Sequence, residues 1–120
     1  MICAGIDAGS RTIKVVLIDT SSKRIIAKNI ADQGIEQNRL AAELFEKTLA
    51  ENGLKKQDAA FVVATGYGRN AIDFADTTIT EITCHGVGVH HLLPDAMTII
   101  DIGGQDSKLL RLDENGKVRD

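Results

Sequence analysis

Residues 5–12 read Gly-Ile-Asp-Ala-Gly-Ser-Arg-Thr, and this stretch decides the fold because it joins two apolar runs through a tight turn. The run before the turn occupies 2–7, and the run after it occupies 12–19. The second run is rich in Ile and Val, which strands favour. Turn-forming residues at 19–23 then lead into a third run at 24–30. The first thirty residues therefore predict an antiparallel meander of three strands.

The middle of the chain predicts a helix followed by a strand. Apolar residues recur at helical spacing over 38–52, where Asn38 is a candidate N-cap. Gly53 stands where a helix often ends with a left-handed residue. The continuous apolar run at 59–65 is typical of a strand buried on both faces. These segments add a helix and a buried strand to the meander.

A second helix and two further strands are predicted after residue 77. Thr78 and Glu81 have the spacing of a capping box, with Thr78 as N-cap and Glu81 at the third helical position. The helix should end just before Pro94, because the residue preceding a proline avoids helical geometry. Residues 97–102 predict another buried strand, and 108–112 predict the strand after it.

The resulting order, β-β-β-α-β-α-β-β, predicts the fold class. A meander followed by strands linked through helices indicates an α/β fold with a mixed five-stranded sheet and helices packed on its faces. The last four residues, 117–120, resemble the first half of a strand. We therefore interpret residues 1–120 as one N-terminal domain that is a fragment of a longer, two-domain protein.

The composition excludes several classes of protein. The chain has 120 residues, of which 43% are hydrophobic and 26% charged, as in one soluble globular domain. A net charge of −3 and an aromatic content of 3% argue against nucleic-acid binding. No apolar run approaches the roughly 18 residues of a membrane helix, and the N-terminus lacks a signal-peptide pattern. Two cysteines fit a reducing compartment, so we predict a cytoplasmic protein without a membrane or nucleic-acid partner.

Two glycine turns carry the candidate chemistry. Asp7 ends an apolar strand before the turn at 8–10, and Asp101 does so before the turn at 102–105. Backbone N–H groups of such turns can cradle phosphate, and glycine permits its close approach. A carboxylate cannot bind phosphate, but it can hold Mg²⁺ through the water shell or orient an attacking water. An ordinary hairpin explains either turn alone equally well, whereas the pair favours a nucleotide-phosphate site.

Neither turn fits the commoner nucleotide-binding patterns, since the chain has no P-loop and no dinucleotide-binding Gly-x-Gly-x-x-Gly. Instead, 7–10 and 101–104 resemble the two phosphate-binding turns of the superfamily of acetate and sugar kinases, heat-shock chaperone ATPases and actin. Further motifs are Ala-Thr-Gly-Tyr-Gly-Arg-Asn at 64–70, Thr-Glu-Ile-Thr-Cys-His-Gly at 80–86 and Asp-Ile-Gly-Gly-Gln-Asp-Ser-Lys at 101–108. Together they resemble the ATPase activators of 2-hydroxyacyl-CoA dehydratases and the related ATPase subunits of benzoyl-CoA reductases, over essentially the whole chain.

This resemblance implies a ribonuclease H-like, actin-like ATPase domain that binds ATP or ADP with Mg²⁺. It implies that Asp7 and Asp101 are catalytic and position Mg²⁺ through water. It also implies that two sets of residues line the phosphates from opposite sides. The first turn would contribute Gly9, Ser10, Arg11 and Thr12. The second turn would contribute Gly103, Gly104 and Gln105.

The resemblance further implies a homodimer of two-domain protomers with one bridging [4Fe-4S] cluster, held by two cysteines from each protomer. ATP hydrolysis would drive one low-potential electron to a dehydratase or reductase that acts on a CoA thioester. In the family, the cluster ligands and the adenosine-binding segment lie beyond the region that this chain matches, and neither Cys3 nor Cys84 aligns with a ligand. Residues 1–120 alone are therefore expected to hold half of an ATP cleft, no cluster, and no activity.

Two other functions stay open, namely a sugar or small-molecule kinase of the same superfamily and a non-catalytic interaction module. The roles of three basic residues also stay open, since each could face phosphate or solvent: Lys14, Arg69 and Lys108. Four residues of the second predicted helix suggest a metal site or a nucleophile–base pair: Cys84, His85, His90 and His91. Helical spacing separates these side chains, so packing and surface roles are favoured.

Overall fold

The computed structural model describes residues 1–103 and 106–119, which form two compact units, 1–78 and 79–120. No helix in this described part of the chain is long and apolar enough to cross a membrane. The strands are β1 (Ile2–Ala8), β2 (Thr12–Asp19), β3 (Arg24–Asp32), β4 (Ala59–Thr65), β5 (Thr77–Thr78), β6 (Thr98–Ile102) and β7 (Ser107–Arg111). The α-helices are α1 (Gln37–Glu51) and α2 (Glu81–Leu92), and short 3-10 turns occupy Lys56–Asp58 and Arg69–Ala71.

The first unit is built on a mixed five-stranded sheet in the order β3-β2-β1-β4-β5. β1, β2 and β3 form the predicted antiparallel meander, and β4 pairs in parallel with both β1 and β5. The predicted α/β fold with a mixed five-stranded sheet is thus confirmed. The fifth strand is a two-residue segment, and its second residue, Thr78, was predicted to be the N-cap of a helix. β6 and β7 pair with each other as a separate antiparallel sheet in the second unit.

The core of the first unit lies between one face of this sheet and α1. The sheet contributes alternate residues of its central strands, all less than a tenth exposed: Ala4, Ile6, Ala8, Ile13, Val15, Leu17, Val62 and Ala64. The helix contributes Ala41, Leu44, Phe45 and Leu49, and the Phe45 ring stacks on Phe74 with centroids 5.4 Å apart. Because side chains alternate between the faces of a strand, Asp7 and Lys14 lie on the face opposite α1.

The start of α1 differs from the prediction. Glu36, not Asn38, is the N-cap, and Asn38 lies inside the helix. Its side-chain oxygen instead accepts a hydrogen bond of 3.0 Å from the backbone N–H of Asp73, which attaches the helix to the loop after β4. The predicted end of the helix is confirmed, because Gly53 has a φ of +68°. Asn38 therefore acts as a tertiary contact rather than as a cap.

The predicted capping box at α2 is wrong. The helix begins at Glu81, with Thr80 as N-cap, so that Glu81 is the first helical residue rather than the third. Thr78 lies in β5, where it pairs with Ala64 of β4. The physical reason is that the β-branched pair at 77–78 extends the sheet edge, and the chain stays extended for two residues longer than the spacing indicated.

Two strands that were predicted to be buried have an exposed face. In β4, Val62 is buried whereas Phe61 is 43% exposed. In β6, Ile100 is 71% and Ile102 79% exposed. An apolar run predicts a strand correctly here, but it cannot tell a strand covered on both faces from one whose second apolar face is uncovered.

A tight turn at 113–116 follows β7. The segment after it, where the sequence predicted the beginning of another strand, pairs back on β7's end through an antiparallel bridge between Val118 and Leu112. Asp113 closes the turn, because its Oδ1 accepts hydrogen bonds from the N–H groups of Asn115 (2.8 Å) and Lys117 (2.9 Å). These bonds, that from Lys117 above all, hold the pKa of Asp113 below its ordinary value of 3.8.

We expect this turn to loosen in acid. Because the pKa of Asp113 is lower in the folded chain, its stabilising contribution is complete above pH 3.8 and is lost as the pH falls through the lowered pKa. In an NMR titration, the amide shifts of Asn115 and Lys117 should change together with a midpoint below pH 3.8. The amide of Asn52, which donates to the carbonyl of Leu49, is the control and should not follow them. A shared midpoint at or above 3.8 would contradict the assignment.

Candidate functional site

The first part of the candidate site lies at the carboxyl end of β1. Asp7 is paired in register with Lys14 of β2 and with Thr65 of β4. Directly opposite residues point to the same face of a sheet, so these three polar side chains lie side by side across three strands. Lys14 Nζ donates a hydrogen bond of 3.2 Å to Asp7 Oδ2, and the two side chains are 43% and 38% exposed. Such a half-exposed pair adds at most about 1 kcal/mol to stability, so its main effect is on the site.

The turn after β1 is shaped by its backbone. The N–H of Gly9 donates to the carbonyl of Thr12 (3.0 Å), and Gln33 Nε2 donates to the carbonyl of Gly9 (2.9 Å). A Cβ atom on Gly9 would lie 2.9 Å from that Thr12 oxygen, so a side chain does not fit. The two residues at the tip of the turn are exposed: Ser10 and Arg11. The turn thus presents its tip to solvent next to the Asp7 carboxylate.

A third segment, the loop that follows β4, also reaches Asp7. Gly66 has a φ of +95°, and a Cβ there would lie 2.7 Å from Asp7 Oδ1 and 2.5 Å from the carbonyl oxygen of Ala8. The N–H of Gly68 donates to the same Ala8 carbonyl over 2.9 Å. Thr65 Oγ1 is buried and has no hydrogen-bond partner among the described residues. The sequence analysis named the motif at 64–70 that contains both glycines, but it did not predict their closeness to Asp7 and Ala8.

The two basic residues of the first unit whose roles stayed open both lie at this end of the sheet. Lys14 binds Asp7, as described above. Arg69 Nη1 donates a hydrogen bond of 3.1 Å to the carbonyl of Gly66, and therefore supports the loop after β4. Neither is a simple solvated surface cation, since each has a partner within the candidate site.

In the second unit, Asp101 of β6 lies opposite Lys108 of β7. Asp101 Oδ2 is 3.0 Å from His85 Nδ1, and Lys108 Nζ is 3.6 Å from Glu81 Oε2. Glu81 and His85 are four residues apart in α2, so they share one face of the helix. Two polar contacts therefore join this helix face to the β6–β7 hairpin. The sequence analysis missed both, and the spacing of Glu81 and His85 was the available signal.

The turn between β6 and β7 is described only at its ends. The N–H of Gly103 donates to the carbonyl of Asp106 over 2.8 Å. Asp106 Oδ1 also lies 3.9 Å from Lys108 Nζ. Gly104 and Gln105, which were predicted to bind phosphate, lie outside the described residues. Their role stays a prediction.

In the part of the chain that the structure describes, a metal ion would find single carboxylates rather than a cluster of ligands. Within 1–103 and 106–119, no group of three or more His, Cys, Asp or Glu residues is arranged to hold a metal. Mg²⁺ commonly keeps several waters and binds through one or two carboxylates together with substrate phosphates. Asp7 in the first unit and Asp101 in the second fit that mode, because each is only partly buried and lies beside a glycine turn.

The cysteines do not fit an iron-sulfur cluster. Cys3 and Cys84 are free, and each of the two units contains only one of them. A [4Fe-4S] cluster is held by several thiolates, so neither unit supplies a ligand set by itself.

The chain matches one family model and several relatives along nearly its whole length. The model of the BadF/BadG/BcrA/BcrD ATPase family matches residues 4–120. The activator of lactoyl-CoA dehydratase from Anaerotignum propionicum is 43% identical over 119 residues, which are 99% of this chain and 45% of that protein. The chain thus spans about half the length of the curated relatives that it matches.

Two solved structures are similar over the whole chain. The activator of the 2-hydroxyisocaproyl-CoA dehydratase from Clostridium difficile, solved with bound ADPNP, has a TM-score of 0.87 and 38% identity, with 44% of its chain covered. Component A of the (R)-2-hydroxyglutaryl-CoA dehydratase from Acidaminococcus fermentans has a TM-score of 0.89 and 35% identity, with 46% of its chain covered.

Proposed function

This chain belongs to the BadF/BadG/BcrA/BcrD ATPase family, and on that premise we propose that it is the N-terminal phosphate-binding part of an ATP-dependent activator. The complete protein hydrolyses ATP to drive electron transfer to a 2-hydroxyacyl-CoA dehydratase or a reductase of the benzoyl-CoA type. The observation that carries the proposal is the Asp7 carboxylate at the end of β1, with Gly9 on one side and Gly66 on the other.

The turn after β1 binds the phosphates from one side. The N–H of Gly9 already donates to Thr12, so the part of Gly9 is to permit close approach rather than to donate. Ser10 and Arg11 are exposed at the tip, and they supply donors to the phosphate oxygens. Thr12 holds the base of the turn. We also propose that Gly103, Gly104 and Gln105 of the second turn bind phosphate.

Asp7 and Asp101 act on the water of the reaction. Bound Mg²⁺ supplies positive charge that offsets the charge developing on the phosphates. Lys14 fixes Oδ2 of Asp7, and the missing side chain at Gly66 leaves room beside Oδ1 for a water molecule. We propose the same water-positioning task for Asp101 in the second unit. Positioning of the reacting groups and stabilisation of charge provide most of the rate acceleration in such a reaction, since the protein forms no covalent intermediate.

The remaining parts of the activity belong to the complete protein. We place the [4Fe-4S] cluster ligands and the adenosine site outside residues 1–120, and we propose a homodimer in the cytoplasm whose partner acts on a CoA thioester. The similarity to dehydratase activators supports this assignment. We propose that residues 1–120 alone supply half of the ATP cleft.

The test is ATP-dependent activation of a purified partner by the complete protein under reducing, anaerobic conditions. We expect Mg²⁺-dependent ATP hydrolysis, and dehydratase activity that appears with ATP but not with ADP. If the protein activates a benzoyl-CoA-type reductase but no dehydratase, its partner is a reductase. Phosphate transfer to an added sugar, without activation of either partner, would replace the proposal by a kinase. Absence of Mg-ADP binding would replace it by an interaction module.

A further inference from the structure

We propose that His85 is a positioning residue for Asp101, and that it fixes one carboxylate oxygen so that the other faces the magnesium water shell. This inference rests on the proposed function, because it assigns a task to Asp101 in ATP hydrolysis. It starts from the 3.0 Å contact between His85 Nδ1 and Asp101 Oδ2.

The neighbouring contact explains why His85, rather than a lysine, holds this carboxylate. Lys108 lies directly across the hairpin from Asp101, but its Nζ lies near Glu81 (3.6 Å) and Asp106 (3.9 Å). The side chains of Lys108 and Glu81, at 24% and 21%, are also less exposed than those of His85 and Asp101. Glu81 thus draws the lysine away from Asp101 and anchors α2 to the hairpin, while His85 takes the place beside Asp101.

The two candidate carboxylates are held in the same way. In each, Oδ2 contacts one nitrogen of a basic side chain, at 3.2 Å in the Asp7–Lys14 pair and 3.0 Å in the Asp101–His85 pair. In both pairs the side chains are partly exposed, so the contact adds at most about 1 kcal/mol to folding. Orientation of the carboxylate is then the main consequence of the contact, and orientation is what a water-positioning group needs.

The backbone of α2 keeps His85 in place. Gly86 follows it and packs closely on the turn after β7, where a Cβ would lie 2.8 Å from Val118 Cγ2 and 3.2 Å from the carbonyl oxygen of Gly116. The helix therefore cannot carry a larger residue at that position without moving. A positioning side chain on such a closely packed element is more precise than one on a free loop.

The experiment compares three variants of the complete protein. His85→Ala removes the contacting nitrogen, His85→Asn places an amide nitrogen near the position of Nδ1, and His91→Ala changes an exposed histidine of the same helix. Two quantities are measured, namely kcat for ATP hydrolysis and the Mg²⁺ concentration that gives half-maximal binding of ADP. The second quantity does not require turnover.

We expect His85→Ala to lower kcat by about 10-fold and to raise the Mg²⁺ midpoint by a similar factor, as loss of a partner of a metal-binding group commonly does. His85→Asn should recover most of both losses, and His91→Ala should match the wild type. ADP affinity without Mg²⁺ should be unchanged in all three.

Equal losses in His85→Ala and His85→Asn would overturn the inference in favour of a packing role. Wild-type values in His85→Ala would also overturn it, while leaving the proposed function in place. A wild-type protein that binds no Mg-nucleotide would overturn the proposed function and this inference together.

Discussion

Replacement of Asp7 by Asn in the complete protein is expected to lower kcat for ATP hydrolysis by about 100-fold or more, since preorganised charge is the largest contribution to such reactions. The amide keeps the size and shape of the carboxylate but removes the charge that Mg²⁺ and the attacking water require. Nucleotide affinity should fall much less, because in our proposal the turn at 8–12 binds the phosphates. Steady-state kinetics and calorimetric binding of Mg-ADP separate the two effects.

Asp19→Asn is the matched control for this experiment. Asp19 ends the strand that begins at Thr12, and its side chain is 40% exposed, compared with 38% for Asp7. Its Oδ1 accepts a hydrogen bond from the N–H of Ser21, which an amide oxygen still can do. We expect wild-type kcat in this variant. Losses of affinity and kcat by the same factor in Asp7→Asn would show that Asp7 serves binding rather than hydrolysis.

Asp101→Asn should likewise reduce hydrolysis more than nucleotide binding. The exposed Asp95 on the loop before β6 provides its control, as Asp95→Asn. If Asp101→Asn hydrolysed ATP at the wild-type rate, Asp101 would not be a catalytic carboxylate. The proposed role of His85 in positioning Asp101 would then be wrong as well.

Local patterns were enough to predict most of the fold. The meander, α1 and β4 were predicted because each is long enough to show its own period of apolar residues. β5 was missed because two residues show no period. The capping-box spacing at Thr78 and Glu81 pointed to a helix start two residues too early, because it competed with pairing of Thr78 along β4. Pairing with a strand distant in sequence decided that boundary.

The same distinction between local patterns and contacts distant in sequence applies to the candidate site. Asp7, Asp101 and their turns were predictable because an acidic residue, a strand end and a glycine are adjacent in sequence. The family predicted from these motifs is confirmed by the match over residues 4–120. The contacts of His85 with Asp101 and of Glu81 with Lys108 join separate elements. The four-residue spacing of Glu81 and His85 indicates a shared helix face, but it does not show what that face contacts.

The position of Gly66 against Asp7 likewise depends on parallel pairing of β1 with β4. This crowded position yields the second large prediction. Gly66→Ala is expected to destabilise the chain by about 2–4 kcal/mol, the range of strongly destabilising core changes. A φ of +95° disfavours any side chain, and the added Cβ would lie 2.5 Å from the carbonyl oxygen of Ala8. That oxygen already accepts a hydrogen bond from Gly68, so relief requires the end of β1 to move.

Gly53→Ala separates crowding from backbone strain. Gly53 also has a positive φ, of +68°, but nothing lies within 4 Å of a Cβ built there. It should cost only about 1 kcal/mol, which is the penalty of the left-handed backbone alone. Urea unfolding gives the free energy of unfolding of both variants. It is followed by circular dichroism because the chain has no tryptophan. Equal losses of stability in the two variants would mean that the end of β1 moves away from the new methyl group without an energetic penalty. Gly66 would then not hold the Asp7 carboxylate in place. A larger loss in Gly66→Ala would tie the geometry of Asp7 to the loop after β4, so that hydrolysis by the complete protein should fall in the same variant.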